Sequence, residues 1–391
     1  MARPSDADDK PSVLESLYES MSKRQSQHLF DQVVRAPSLR PTISLTLALA
    51  IAFATLVYLL LVGIGLLGIG LLVAGLSNWF ALISAAICFA LVWYLMPRLP
   101  RVDGKIISRN DFPTLYRIFD RVSTALNARP VDGIVLDENY NAAYSVVGWQ
   151  RQQIVYIGLP LFYSLDGQER VAVIAHELAH GVNNDPARGF FLSTAFGMLA
   201  RWHEFLTPDK ELALCDADNL LEFAFNISNW ITTIALVAFS QIPRFGAWVM
   251  IHLFWRASQR AEYLADYLAT TVSGTDAMTQ ALNKMQRGDT HTWTLVQKIA
   301  VGSAKFNLFD ELRQSINAET EPFEEDSEEA RIDTTHPPTK FRVAFLSARR
   351  VAGAKIVVAS TEWAQVDREL APVQKEIQEK LAERYQRSLY Y

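Results

Sequence analysis

The sequence predicts a mainly α-helical protein of the α+β class, in which a membrane helical hairpin precedes a domain with a small antiparallel sheet and a metal-binding helix. Three observations lead to this fold class. A long run without charged residues follows residue 40, three short strand-like segments lie between residues 131 and 157, and the motif His-Glu-x-x-His begins at residue 176. Most of the remaining chain has helical periodicity, which makes the fold mainly α.

The composition limits the classes of protein to which the chain can belong. With 391 residues, of which 50% are hydrophobic and 20% charged, it can bury a large core and still has apolar sequence left over. The net charge of -5 gives no reason to expect a nucleic acid partner. Cys88 lies in an apolar segment and Cys215 in a polar one, so we expect neither a disulfide framework nor a cysteine metal site.

The first 40 residues are polar, with positive and negative charges in balance. Prolines punctuate both ends of a weakly amphipathic stretch, so we expect a mobile tail or a surface helix over residues 1–40. A signal peptide is not expected, because no short apolar core followed by small residues occurs near the start.

A transmembrane hairpin is predicted over residues 41–97. No charged residue occurs between Arg40 and Arg98, and about 20 apolar residues cross a bilayer once as a helix, so this length suits two crossings. Basic residues follow the second crossing, which favours the cytoplasmic side for both ends. The sequence therefore indicates a multi-pass integral protein of the cell membrane whose following domain faces the cytoplasm.

A second apolar segment covers residues 220–255. A single crossing there would separate the later residues from the histidine motif, so this segment must cross twice or not at all. It is short for two crossings of about 20 residues each, and Pro243 interrupts it. We expect two helices separated by a break, which dip into the membrane or pack against it.

The predicted sheet lies just before the histidine motif. Residues 131–136 and 153–157 are strand-like, and a third short strand is expected between them. A small antiparallel sheet of this kind offers a free edge with which an extended peptide can pair. Asn139 and Asn141 fit that edge, and they fit equally well as simple turn formers.

The histidine motif is predicted to lie on a helix. Asp166 and Glu169 have the spacing of a capping box, and no helix breaker follows until Gly181. His176 and His180 then project from one face and can bind one metal ion. Glu177 beside them is a carboxylate that can accept a proton from an activated water molecule, which is the chemistry of a zinc hydrolase.

A catalytic zinc ion takes three protein ligands, and the sequence offers several candidates for the third. These are Glu262, Asp266, His252, His291 and His336. Glu262 stands out among them, because Asp266 lies four residues later on the same helical face and could accept a hydrogen bond from a ligand histidine and fix its orientation. A solvated pair of carboxylates remains the alternative.

Four motifs in the same order resemble the HtpX and CAAX prenyl protease group of membrane zinc endopeptidases, of the gluzincin type. The motifs are Asn141-Ala142, the segment from His176 to His180, the segment from Glu262 to Asp266, and His336-Pro337-Pro338 with Arg342 downstream. The resemblance covers residues 110 to 350.

This resemblance implies a zincin-type zinc metalloprotease domain over residues 98–350, with one zinc ion per chain. It implies that His176, His180 and Glu262 bind zinc and that Glu177 is the general base. Asp266 would support a ligand, and His336 and Arg342 would help to hold the substrate or the developing oxyanion. Asn141 and Ala142 would belong to the edge strand that receives the substrate backbone.

Two further segments complete the predicted organisation. Residues 319–329 carry many acidic side chains and no basic one, so we expect a solvated loop. Residues 351–391 form a charged helical segment that we expect to be a surface element, with a kink or a start at Pro372.

The predicted function is a membrane-bound zinc-dependent endopeptidase whose partners are protein or peptide substrates and the lipid bilayer. Membrane or misfolded proteins are the expected substrates, and the sequence gives no oligomeric state. One alternative is a membrane chaperone or scaffold that keeps the fold with a structural zinc ion, which the intact Glu177 disfavours. A transporter is disfavoured because the two clear crossings carry no ionisable residue.

Overall fold

A computed structural model describes residues 26–36, 45–75, 78–182, 185–207, 220–302, 307–318 and 336–388. The first helix, α1, covers residues 26–35. The later elements in chain order are α2 (Leu45–Ala74), α3 (Trp79–Leu95), α4 (Pro113–Leu126), β1 (Gly133–Asp137), β2 (Ala142–Val147), β3 (Gln152–Gly158), α5 (Leu159–Ser164), α6 (Gly167–Val182), α7 (Asp185–Leu206), α8 (Leu220–Ser273), α9 (Thr275–Ala300), α10 (Leu308–Ala318), α11 (Thr339–Ala348) and α12 (Ser360–Ser388). The predicted α+β class with mainly α structure is confirmed.

The chain divides into two compact units, each built from separated segments. The sheet unit comprises Met1–Pro41, Pro100–Pro186 and Ser258–Tyr391, and the apolar unit comprises Thr42–Leu99 and Ala187–Ala257. Helix α8 contributes its first part to the apolar unit and its last part to the sheet unit.

The apolar unit contains the predicted hairpin as α2 and α3. Asn78 caps α3, because its side-chain oxygen accepts a hydrogen bond of 3.0 Å from the backbone N–H of Phe80. By length and composition, α2 and the part of α8 from Thr232 to Ser273 are long and apolar enough to cross a membrane, and α3 is a shorter apolar helix. Many large apolar side chains of α2 and α3 are exposed, as expected for helices that face lipid.

Helices α7 and α8 lie side by side in the same unit. His203 Nδ1 lies 2.9 Å from the carbonyl oxygen of Ser240, and the hydroxyl of Tyr58 donates to the carbonyl oxygen of Phe191 at 3.1 Å. The core shared by α2, α7 and α8 includes Ala54, Ala195 and Met250.

The expected break near Pro243 is wrong, because α8 is one continuous helix from Leu220 to Ser273 that contains Pro243. A proline removes one backbone hydrogen bond, and packing on neighbouring helices can offset that loss. Such packing is present one turn later, where a Cβ at Gly246 would lie 3.1 Å from the Phe53 ring.

The sheet is mixed, which corrects the expected antiparallel arrangement. The strand order is β1-β3-β2, with β2 antiparallel and β1 parallel to β3. The three strands lie where the sequence predicted them. However, β1 pairs with β3, and not with β2, which follows it in the sequence. Because β3 lies in the middle, β2 is an edge strand, and within the described residues no other strand pairs with its outer side.

The terminal segments pack more closely than expected. Of the two alternatives for residues 1–40, a mobile tail or a surface helix, the described part is the helix α1. It is packed against the fold, since Leu29 and Val33 are buried and the Arg349 guanidinium donates to the carbonyl oxygens of Val33 and Val34 at its end. Helix α12 runs through Pro372 and buries one face, including Leu370, so it is more than a surface element. The predicted acidic loop at 319–329 lies outside the described residues.

Candidate metal centre

Helix α6 presents the histidine motif, and its start is the predicted capping box. The backbone N–H of Asp166 donates to the Glu169 carboxylate at 2.7 Å, and the backbone N–H of Arg170 donates to the carbonyl oxygen of Asp166 at 2.9 Å. The helix ends at Val182, just beyond Gly181. A Cβ at Gly181 would lie 2.9 Å from the Tyr144 hydroxyl, so glycine allows β2 to approach the end of α6.

Three ligand-type side chains converge between α6 and the last part of α8. His176 Nε2 lies 3.5 Å from Glu262 Oε2, and His180 Nε2 lies 3.5 Å from Glu262 Oε1. His176 and Glu262 are buried. Within the described residues, this is the one cluster of histidine, cysteine and acidic side chains that could hold a metal ion.

The donor atoms fit zinc in number, type and spacing. Zinc bonds of about 2.1 Å at tetrahedral angles separate neighbouring ligand atoms by about 3.4 Å, and the two measured separations are 3.5 Å. Two imidazoles and one carboxylate also form a common donor set of catalytic zinc, which leaves a fourth position for water or substrate.

Behind the cluster, Asp266 joins His176 to Arg342. His176 Nδ1 lies 3.0 Å from Asp266 Oδ1, although the angle falls short of a good hydrogen bond. Arg342 donates to both oxygens of Asp266, at 2.8 and 2.6 Å, and both side chains are buried. Asp266 therefore keeps the Nδ1 side of His176 turned towards itself, which leaves Nε2 for a metal.

The electrostatics of the cluster favour positive charge. Burial alone would lower the pKa of His176, but the neighbouring carboxylates of Asp266 and Glu262 raise it to about 10. Burial alone would raise the pKa of the Asp266 carboxyl, but the charge of Arg342 lowers it to about 2. Two buried carboxylates thus remain ionised and stabilise a cation beside them, which a divalent metal ion can supply.

A small pocket opens beside the cluster and brings the other predicted site residues together. Its lining includes Asn141, Ala142, Glu177, His336 and Arg342. The carbonyl oxygen of Asn141 accepts a bond of 2.8 Å from the Gly158 backbone, and Ala142 is the first residue of the edge strand β2.

His336 lies on the exposed side of the cluster. Its Nδ1 is 2.5 Å from Glu262 Oε2, and 43% of its side chain is exposed. The imidazole therefore contacts the Glu262 carboxylate directly while part of it remains open to an incoming molecule.

Of the five candidates for the third ligand, the structure brings Glu262 to the two histidines. Asp266 lies behind His176, and His336 lies beside Glu262. His252 belongs to the apolar unit, and its Nδ1 lies 2.8 Å from the carbonyl oxygen of Trp248 within α8. His291 is not a member of the cluster.

The apolar wall of the pocket, formed by Val173, Met278 and Met285, was not expected from the sequence. Val173 precedes His176 by three residues and so shares its face of α6. Met278 and Met285 lie seven residues apart, which aligns them on one face of α9. These spacings were readable in the sequence, but nothing there indicated that α9 faces the histidine helix.

Comparison with known proteins agrees with this site. The model of Peptidase family M48 matches residues 110–350. The chain is also 28% identical over 155 residues to the protein named "Protease HtpX homolog 1" of Saccharolobus solfataricus, a match that covers 39% of this chain. The aligned residues cover 50% of that curated relative, so the chain spans about half of its length.

These findings confirm the resemblance to HtpX-type zinc metallopeptidases predicted from the four motifs. The family match includes the histidine helix, both carboxylates of α8, and the segment of His336 and Arg342. Since it also covers more than half of the sequence, the chain belongs to Peptidase family M48.

Proposed function

We propose that this chain is a zinc-dependent endopeptidase anchored in a membrane, with Glu177 as its general base. The convergence of His176, His180 and Glu262 next to Glu177, in a member of a peptidase family, carries this proposal. The proposed cofactor is one zinc ion per chain.

When bound, zinc supplies Lewis acidity that lowers the pKa of a water molecule and polarises a carbonyl group. The chain's own residues prepare the site for that chemistry. Asp266 and Arg342 fix the orientation of His176, and the two histidines with Glu262 supply the three donors.

Glu177 is the proposed proton carrier. It is the second residue of the motif, it is buried, and it lines the same pocket as His336 and Arg342. A carboxylate at this position takes a proton from the attacking water and returns it to the departing amine. The partly exposed His336 is proposed to assist at the carbonyl oxygen, where negative charge develops.

The edge strand β2 is the proposed platform for the substrate backbone. Its outer side has no strand partner among the described residues, and Asn141 and Ala142 at its start line the pocket. A peptide that pairs with this edge would extend towards Glu177, and the apolar wall would take one of its side chains.

Helices α2 and α3 are the proposed membrane anchor, with the α7 and α8 pair packed in the same unit. Basic residues at both ends of the hairpin support a cytoplasmic position for the sheet unit. His176 and His180 lie before the apolar segment Ala187–Ala257 and Glu262 lies after it, and all three belong to the sheet unit, which supports a topology with both halves of the proposed metal centre on one side. Membrane proteins and unfolded polypeptides are the proposed substrates.

The exchange of Glu177→Gln tests the proposal most directly. The amide cannot accept the proton, so cleavage of casein by the purified, detergent-solubilised protein should fall by about 10²–10⁴-fold. The zinc content measured by mass spectrometry should remain at one ion per chain, because the three donors are intact.

The matched control is Glu376→Gln, which makes the same change at an exposed position of α12. It should keep full activity. Undiminished cleavage by Glu177→Gln would rule out its role as the base, and zinc without cleavage in the unaltered protein would favour a scaffold with a structural metal.

A further inference from the structure

We propose that the turn between β2 and β3, at Trp149, rests among the lipid headgroups and holds the sheet unit against an anionic membrane surface. This inference rests on the proposed membrane insertion of α2 and α3. It adds a second lipid contact, made by the sheet unit itself, that the helical hairpin does not require.

Trp149 is unusually open to solvent. Its exposed fraction is 90%, which is the highest among the large hydrophobic side chains of the described residues. An indole ring in water needs a physical reason, and the membrane interface is the environment that tryptophan prefers, because the ring is apolar while its N–H can still find a polar partner.

The turn that carries Trp149 has a defined shape. Gly148 has a φ of 66° and Arg151 a φ of 52°, so the turn is closed by two residues in the left-handed region. The N–H of Arg151 donates to the carbonyl oxygen of Gly148 at 3.2 Å. The backbone therefore holds the indole outward, and the ring does not need to leave a core in order to meet a lipid surface.

Backbone hydrogen bonding ties this turn to Pro100, where the chain enters the sheet unit after α3. The N–H of Gly148 donates to the carbonyl oxygen of Pro100 at 3.1 Å, and Pro100 follows the last residue of α3, Leu95, by five positions. Five residues span at most about 18 Å. If α3 ends at the membrane surface, the turn is therefore within reach of the headgroup layer.

The segment after Pro100 is also fixed to the sheet. The N–H of Asp103 donates to the Tyr156 hydroxyl at 3.2 Å, and Ile106 forms a bridge with Val135 of β1. From Asp103 onwards, the segment that follows α3 is therefore held against the sheet.

The charges around the turn fit an anionic surface. The exposed basic residues in residues 100–106 and in the turn at 148–151 are Arg101, Lys105 and Arg151. The single exposed acidic residue in these two segments is Asp103. Basic residues beside a membrane are attracted to anionic phospholipids, and an aromatic ring among them adds an apolar contact. The occupant that we assign to this surface is accordingly a bilayer that contains anionic phospholipid.

A lipid contact at Trp149 would also affect where a substrate can pair with β2. The turn is the end of the same hairpin whose edge strand β2 is the proposed peptide platform. A headgroup contact at Trp149 would hold that edge near the surface, where a segment that emerges from the bilayer can pair with it.

The test uses the full chain, reconstituted in vesicles of phosphatidylcholine and phosphatidylglycerol. In a background with Cys88→Ser and Cys215→Ser, single cysteines are introduced by Gln150→Cys, which is exposed in the same turn and leaves Trp149 in place, by Trp93→Cys or by Val357→Cys, and are labelled with an environment-sensitive fluorophore. Trp93, in α3, reports membrane insertion of the hairpin, whereas Val357 is 67% exposed in the sheet unit and lies outside the turn.

Spin-labelled lipids should quench the labels at 150 and 93 at least about threefold more than the label at 357. In vesicles of phosphatidylcholine alone, quenching at 150 should fall by about threefold while quenching at 93 stays unchanged. Equal quenching at 150 and 357, with strong quenching at 93, would overturn the lipid contact and leave the membrane anchor intact. Absence of quenching at 93 would overturn the anchor and this inference together.

Discussion

At the scale of single residues, the metal centre depends on a chain of contacts that runs from Arg342 through Asp266 to His176. The Arg342 guanidinium donates to both oxygens of Asp266, and the Asp266 carboxylate faces Nδ1 of His176. Each side chain therefore restricts the orientation of the next one. Contacts of this kind orient a metal ligand and tune its basicity. Arg342 would therefore act on a bound metal ion through Asp266 and His176, without touching it.

The change Arg342→Met should destabilise the protein by about 3–5 kcal/mol, because it leaves the buried Asp266 carboxylate without its partner. Zinc affinity should also fall, by about 10–100-fold. Thermal unfolding and competition with a zinc chelator measure the two effects.

The control for this prediction is Arg350→Met. Arg350 pairs with Asp276 at 2.9 Å, but both side chains are largely exposed, at 67% and 73%. Loss of an exposed pair costs at most about 1 kcal/mol. Equal stability of the two variants would contradict the importance assigned to the buried pair.

At this scale the sequence was informative because the chemistry is local. His176, Glu177 and His180 follow from spacing on one helix, and the capping box that starts this helix was also readable. Glu262 was favoured among five candidates by its spacing from Asp266, and the family resemblance strengthened that choice; its approach to the histidines depends on tertiary packing, which the sequence does not show. The contact of His336 with Glu262 could not be derived for the same reason.

At the scale of elements, the position of β2 depends on the contact between α9 and Tyr140, the residue before Asn141. The hydroxyl of Tyr140 lies 2.8 Å from the Ser164 hydroxyl and donates to the carbonyl oxygen of Lys284 at 3.2 Å. The Tyr140 ring lies against the backbone of Gly288 in α9, where an added Cβ would collide with it. Glycine at this place allows α9 to lie close to the start of the edge strand.

The change Gly288→Ala should therefore displace Tyr140 and cost about 1–3 kcal/mol through overpacking. Peptidase activity should fall as well, because Tyr140 precedes the two residues at the start of the proposed platform. Unfolding curves and casein cleavage provide the measurements.

Gly70→Ala is the matched control, since no atom lies within 4 Å of the added Cβ on α2. A Gly288→Ala protein that is as stable and active as the control would refute the close approach.

The sequence predicted that the three strands exist, but it did not predict which strands pair with each other. The three strands were found from their composition, but β1 pairs with β3, so the predicted antiparallel sheet became a mixed one. Pro243 was a sound reason to expect a break, yet α8 continues through it because α2 and α7 pack along that helix. Local patterns give the elements, and long-range packing decides their partners and lengths.

At the scale of the whole molecule, the metal centre joins helices that the sequence separates widely. Ligands come from α6 and from the last part of α8, and Arg342 comes from α11. Binding energy at this site therefore stabilises the folded sheet unit as a whole, since the unfolded chain does not hold the three donors together.

Removal of zinc with a chelator should consequently lower the melting temperature of the sheet unit. A free zinc concentration of about 100 times Kd contributes about 2.7 kcal/mol, which calorimetry of the detergent-solubilised protein can detect. Glu177→Gln should show the same shift, whereas His180→Ala should melt at the lower temperature with or without added zinc. An unchanged melting temperature after complete zinc removal would contradict this coupling.

The interleaving of the two units along the chain has a consequence for biosynthesis. The ribosome makes α6 with His176, Glu177 and His180 first, then the second apolar segment up to Ala257, and only afterwards Glu262 and Arg342. A nascent chain that stalls within the apolar stretch carries two of the proposed ligands and the proposed base, but it lacks the proposed third ligand. With these roles, peptidase activity would arise only after the later apolar segment has been translated.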